Sequence, residues 1–279
     1  MKPSSGHAPY FVLAHHRSGS NFLNDLLQAH PRIECINEPF SMHTRYFREC
    51  DLSPWSSRDF HPETFHPELL PHDELRGYMA EFREYLLQSS HHRVIGFKDT
   101  VFFEKLEWLK AFLPTLKVVF LKRDLRCIVS SLLRSNLLEF WNYADLVPPA
   151  FTGLHPRYEP LGDEHDAATR LAEIAAMSVV TRYTYAQRHL RLFEHKVVYL
   201  DQLMSDPEGH LHDITAFLGV DPHEAPLSFL RRRQSASRGG TFSSFRTRDD
   251  VSNTWERHLQ PSQIEVIDDV LRAAGIAPH

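Results

Sequence analysis

Short apolar runs and amphipathic stretches alternate along the chain. Tyr10–Ala14 is a continuous apolar run of strand length, and Phe22, Leu23, Leu26 and Leu27 then mark one face of a helix that reaches Ala29. His30-Pro31 ends that helix, because the residue before a proline avoids helical backbone. Ile33–Ile36 predicts a second strand ahead of Asn37-Glu38-Pro39, and Val94–Phe97 predicts a third ahead of Lys98-Asp99-Thr100. A fourth, Lys117–Leu121, runs through Lys122-Arg123-Asp124 into a helix carrying Leu125, Ile128, Val129, Leu132 and Leu133. Val197–Leu200 predicts a fifth. Further helices are expected from about Asp166 to Glu194, near His210–Leu218, and from Pro261 toward Ala274, where proline suits the first helical position. The Arg-, Ser- and Gly-rich Arg231–Asp250 reads as a mobile basic loop, and the Pro-, Trp- and His-rich Ser53–His72 as a long surface excursion.

Strands joined by helical crossovers imply an α/β three-layer sandwich around a central, mainly parallel sheet. Ligands in such folds bind beyond the carboxyl ends of the strands. No internal repeat is visible, so residues 1–279 are expected to form one domain, with insertions at about 41–89 and 137–163.

Charge narrows the possible partners. A formal net charge of −5 argues against a general nucleic-acid or membrane-surface binder. Any anion site must therefore be local. Neither an export signal nor an apolar stretch long enough to span a bilayer is present, which makes the cytoplasm the expected compartment. Cys35, Cys50 and Cys127 are odd in number and lack CxxC spacing, as reduced thiols would be. His15/His16 and His91/His92 are adjacent pairs, a poor arrangement for shared metal ligation. No metal site is expected.

The strongest chemical signal is Ala14-His15-His16-Arg17-Ser18-Gly19-Ser20-Asn21-Phe22-Leu23, a strand, a tight polar turn and a helix in succession. Such a turn offers backbone N–H groups and the positive helix end to an oxyanion, with Arg17 and the serine hydroxyls as directed donors. It is not a Walker A loop, which needs two glycines and a Lys at set spacing. A plain helix start with Ser18 or Ser20 as N-cap is the alternative. A second segment stands apart: Arg123 lies at a strand end, and Ser131 follows eight residues later, about two helical turns on.

Together these segments resemble the PAPS-dependent sulfotransferases (PAPS, 3′-phosphoadenosine 5′-phosphosulfate), specifically their RSGS-loop, bacterial and carbohydrate-like branch. Val197-Val198-Tyr199-Leu200-Asp201, Asp206-Pro207 and Phe217-Leu218-Gly219-Val220 look like the family's YEDL, DP and FLGV segment, so the resemblance runs from about Tyr10 to Leu271. It implies a P-loop-nucleotide-hydrolase-like sulfotransferase fold. It further implies that Arg17, Ser18, Gly19, Ser20, Asn21 and Phe22 hold the 5′-phosphosulfate, that Arg123 and Ser131 bind the 3′-phosphate, and that Tyr199 lies near the adenosine. Arg238-Gly239-Gly240 resembles the late Arg-Lys-Gly segment that closes over the nucleotide. Many cytosolic members carry Lys where Arg17 stands, and the two cations are not interchangeable as anion clamps.

By the same resemblance the enzyme transfers a sulfuryl group from PAPS to a hydroxyl or amine and releases PAP (3′-phosphoadenosine 5′-phosphate). The acceptor is a small molecule or glycan, the oligomeric state stays open with a homodimer among the options, and no divalent metal is required. The Lys-Thr-His motif that supplies a base in many members reads Lys98-Asp99-Thr100 here, without the His. Glu38, in an E-P turn, is the leading candidate base, with Asp99 second and Lys98 as a holder of sulfonate oxygens. Alternatives are a P-loop nucleotide or nucleoside kinase and a non-catalytic PAPS- or PAP-binding module. Aromatic residues of the two insertions, including Trp55, Trp141, Tyr143 and Phe151, suit an apolar, aromatic or glycosidic acceptor, and a peripheral core accounts for them equally well.

Overall fold

The structure, a computed structural model, describes residues 8–40, 73–90, 92–135, 137–140, 142–235 and 254–277. Strand β1 (Tyr10–Ala14) is buried on both faces, as its unbroken apolar run requires. Around it lie β2 (Ile33–Asn37), β3 (Val94–Asp99), β4 (Lys117–Lys122) and β5 (Glu194–Tyr199), in the order β2-β3-β1-β4-β5 and with every pairing parallel. Tyr10 pairs with Gly96 in register, and a Cβ on Gly96 would come within 2.4 Å of the Tyr10 ring and carbonyl. Only glycine fits there.

Helices cover both faces. In chain order they are α1 (Ser20–Gln28), α2 (Asp73–Leu86), α3 (Leu106–Phe112), α4 (Leu125–Leu133), α5 (Leu137–Phe140), α6 (Tyr143–Leu154), α7 (Ala167–His189), α8 (Leu200–Ser205), α9 (Pro207–Leu218), α10 (Ala225–Ser235) and α11 (Pro261–Ala273). Alternate strand residues feed two cores. Phe11, Leu13, Phe97 and Phe120 pack with residues of α3, α4, α6, α7 and α11, whereas Tyr10, Val12, Val119 and Leu121 pack with α1, α8, α9 and α10. The three-layer α/β expectation holds.

Two local expectations and one alternative are corrected. The fifth strand spans Glu194–Tyr199 rather than Val197–Leu200, and Leu200 opens α8. The segment read as a basic loop from Arg231 begins inside α10, because Leu227, Phe229 and Leu230 pack against the α1 face. The first helix has Gly19, not a serine, at its N-cap. The excursion Ser53–His72 and the triplet Arg238-Gly239-Gly240 lie outside the described residues.

The chain leaves β1 toward β2 on one side of the sheet, while β4 and β5 lie on the other. The crevice where strand order reverses therefore opens at the carboxyl ends of β1 and β4, the position that favours ligands in parallel sheets. The turn after β1 and Arg123 after β4 both lie there.

Candidate active site

The turn after β1 is held by its own polar groups. Ser18 donates from its N–H and from its Oγ to the His15 carbonyl, at 3.1 and 2.6 Å. Arg17 and Gly19 both take left-handed backbone, with φ of 67° and 90°. At Gly19 a Cβ would also lie 2.7 Å from Leu200 Cδ2, so this glycine is required twice over. Gly19 at the N-cap has no side chain with which to cap α1. The first-turn N–H groups at Ser20, Asn21 and Phe22 therefore have no capping oxygen from that position and are placed to meet an anion. Phe22 is itself a core side chain, so only its backbone can serve a ligand.

The second segment docks directly onto the first. Arg123 Nη1 donates to the Arg17 carbonyl at 2.9 Å, and Arg17 Nε donates to Ser131 Oγ at 2.9 Å. Asp124 caps α4 by accepting from the Arg126 N–H at 2.8 Å, which fixes the helix that carries Ser131. Two motifs far apart in sequence thus share one set of contacts. Tyr199 ends β5 opposite Lys122, the residue before Arg123, and Lys122 Nζ lies 5.7 Å from the Tyr199 ring centre. Burial lowers the Lys122 pKa below its ordinary value. Sequence reasoning did not single out Lys122.

On the other side of the turn, Lys98 at the end of β3 has a side chain with 0% exposure. Its Nζ donates to Asn21 Oδ1 at 2.8 Å and to Glu38 Oε1 at 2.6 Å. Lys98 therefore joins the start of α1 to the E-P turn, a role for Asn21 that the sequence did not suggest. Glu38 has φ of 47°, and its N–H donates to the Lys98 carbonyl at 2.7 Å. Left-handed backbone in a non-glycine residue costs roughly 1–2 kcal/mol and collects at functional sites. Two of the three such residues among those described are Arg17 and Glu38.

Asp99 is enclosed differently. Its Oδ1 accepts from the N–H groups of Thr100 and Val101 at 2.7 and 3.1 Å, and its Oδ2 accepts from the Phe40 N–H at 3.4 Å. It binds the E-P turn to the end of β3. Burial, and secondarily the Glu38 charge, raise its pKa to about 7, against the opposing pull of Lys98 and the backbone donors. The expected aromatic acceptor residues Tyr143 and Phe151 are core side chains.

Besides burial, the charges of Arg182, Lys98 and Arg17 push the His16 pKa well below its ordinary value. Among the described residues, no group of three or more His, Cys, Asp and Glu side chains is placed to hold a metal ion, and no helix is long and apolar enough to cross a membrane.

The profile of the sulfotransferase family matches residues 9–224, which contain both motifs and the E-P turn. The chain belongs to the sulfotransferase family. Solved structures agree on the fold of this sulfotransferase. The sulfotransferase domain from the Synechococcus PCC 7002 olefin synthase is 18% identical over 96% of this chain and 97% of its own, with a TM-score of 0.53. The sulfotransferase domain from the curacin biosynthetic pathway is 14% identical over 97% and 98%, with a TM-score of 0.56. Mouse sulfotransferase SULT7A1, complexed with PAP, is 12% identical over 96% and 84%, with a TM-score of 0.55. No curated protein matches the sequence. As a family member the protein is a transferase with the P-loop-like fold of its structural neighbours.

Proposed function

We propose that this sulfotransferase moves a sulfuryl group from PAPS to a hydroxyl or amine of a small-molecule or glycan acceptor and releases PAP. One observation carries the reading: Arg17 of the anion turn and Ser131 of the Arg123-to-Ser131 segment hydrogen-bond at 2.9 Å, while Arg123 holds the Arg17 carbonyl. A site for two separated phosphate groups of one nucleotide needs two anion-binding segments in fixed register. The PAP in the mouse relative's structure is consistent with that donor.

In this reading Arg17, Ser18, Ser20 and the N–H groups of Gly19, Asn21 and Phe22 hold the 5′-phosphosulfate. Arg123 and Ser131 bind the 3′-phosphate and so distinguish the donor from ATP, with Tyr199 beside the adenosine. Arg238, Gly239 and Gly240 would close over the nucleotide. The acceptor oxygen or nitrogen attacks sulfur, the bond from sulfur to the 5′-phosphate oxygen breaks, and its electron pair leaves with PAP. The acceptor proton passes to Glu38. Catalysis is then mainly alignment and stabilisation of the leaving charge.

Glu38 suits the base better than Asp99. The Glu38 side chain is 30% exposed, and its Oε2 has no partner among the described residues, whereas both oxygens of buried Asp99 accept from backbone N–H groups. Lys98, between Asn21 and Glu38, links the donor turn to the base and offers positive charge to sulfonate oxygens. The test is transfer of label from ³⁵S-PAPS to a panel of hydroxyl and amine acceptors. Labelled product that forms with wild type and is lost in Arg17→Ala supports the reading. Turnover of ATP without turnover of PAPS overturns it.

A further inference from the structure

His15, the first residue of the turn, is fully buried, and its two ring nitrogens meet different groups. Nδ1 lies 2.7 Å from the His16 carbonyl oxygen, and Nε2 lies 3.1 Å from Arg182 Nη1. A carbonyl only accepts and a guanidinium only donates. The ring is therefore neutral, with its proton on Nδ1 and its lone pair on Nε2. Burial and the Arg182 charge both hold the His15 pKa well below its ordinary value, in agreement with that state.

Arg182 comes from the middle of α7, and its side chain is buried. Nη2 donates to Tyr143 Oη at 2.8 Å, so the guanidinium spans from the start of α6 to the root of the turn. In a trans peptide the C=O and N–H point opposite ways. Holding the His16 carbonyl against the His15 ring consequently turns the Arg17 N–H away from that ring. The charged and titratable groups near this pair include Arg182 of α7, His16 and Arg17 in the turn and Lys98 of β3, and the rings of His16 and Phe103 lie beside that of His15.

We propose that Arg182 is the positioning residue of the anion turn. By donating to His15 Nε2 it enforces the Nδ1–H form that fixes the His16 carbonyl, and it keeps a permanent positive charge behind the turn. The proposal rests on the sulfotransferase reading only for the identity of the bound anion.

The experiment combines PAP titration calorimetry at pH 8 and pH 6 with ¹⁵N spectra of the histidine rings, in wild type and Arg182→Met. Measurable PAP binding by wild type comes first; if it is absent, the donor assignment fails while the ring spectra still judge Arg182. In wild type, His15 should show a proton on Nδ1 alone and should not titrate between these pH values. In Arg182→Met, PAP affinity at pH 8 should fall about tenfold or more, the size of effect seen when a supporting hydrogen bond behind a metal-binding ligand is removed. A similar loss is expected at pH 6, because burial, the larger cause of the low His15 pKa, still keeps the ring neutral, while the ring spectra should show the proton no longer confined to Nδ1. Unchanged affinity, or a loss with the His15 tautomer unaltered, overturns the proposal. If Arg182→Met does not fold, the wild-type spectrum decides alone: a proton on His15 Nε2, or ordinary titration of that ring, contradicts it.

Discussion

Lys98 Nζ lies 2.6 Å from Glu38 Oε1 and 2.8 Å from Asn21 Oδ1, so one buried ammonium couples the turn proposed to bind the donor with the carboxylate proposed as base. Glu38→Gln keeps the shape and a hydrogen-bond acceptor for Lys98 but cannot take a proton. It should lower kcat by roughly 10²–10⁴-fold, the usual size of general-base catalysis, with PAP affinity close to wild type. Near-normal kcat would remove Glu38 from that role, and a larger loss in Asp99→Asn would move the base to the end of β3.

Asp99 makes a separate prediction about stability. Its folded pKa of about 7 lies above the ordinary carboxylate value of 3.8. Between those values the folded protein keeps a proton that the unfolded chain has released, so stability from this group falls as pH rises through the window and levels off above it. Melting temperature measured from pH 4 to pH 8 should decline more in wild type than in Asp99→Asn across that range. Parallel curves would contradict the buried, proton-retaining state.

Gly19→Ala should be costly beyond its size. Left-handed backbone in a residue with a Cβ costs roughly 1–2 kcal/mol, and the added carbon would lie 2.7 Å from Leu200 Cδ2. A lowered melting temperature together with weakened PAP binding is expected. An unchanged melting temperature would mean that the turn is not held in this conformation.

Metal chelation gives a fourth prediction. Arg17, Arg123 and Lys98 supply fixed positive charge in the proposed site, and a sulfuryl group carries less charge than a γ-phosphate, the group that kinases neutralise with Mg²⁺. Transfer from PAPS should survive EDTA. Strict dependence on a divalent ion would favour the kinase alternative.

Much of this arrangement was legible because it is local. A strand, a polar turn and a helix in immediate succession mark the turn after β1, and apolar runs mark β1 to β4 to within two residues. The apolar run in β5 is shorter than the strand because the strand lies at the sheet edge, where Glu194 and His195 face water and give no apolar signal. The helical start of the supposed basic loop was hidden by Arg231, Arg232 and Arg233, which follow the few apolar residues that pack onto α1. The contacts of Lys98 with Asn21 and of Arg182 with His15 span 77 and 167 residues. They arise only when β3 and α7 dock beside β1, and no periodicity within a single segment encodes them.

Arg123 and Ser131 are proposed to read the 3′-phosphate of the donor. The most direct measurement is calorimetric binding of PAP and ADP to wild type and Arg123→Ala. One hydrogen bond to a charged group contributes about 1.5–3 kcal/mol, so wild type should prefer PAP by about tenfold or more, and Arg123→Ala should lose most of that preference. Equal affinity of the wild-type protein for PAP and ADP would contradict the account.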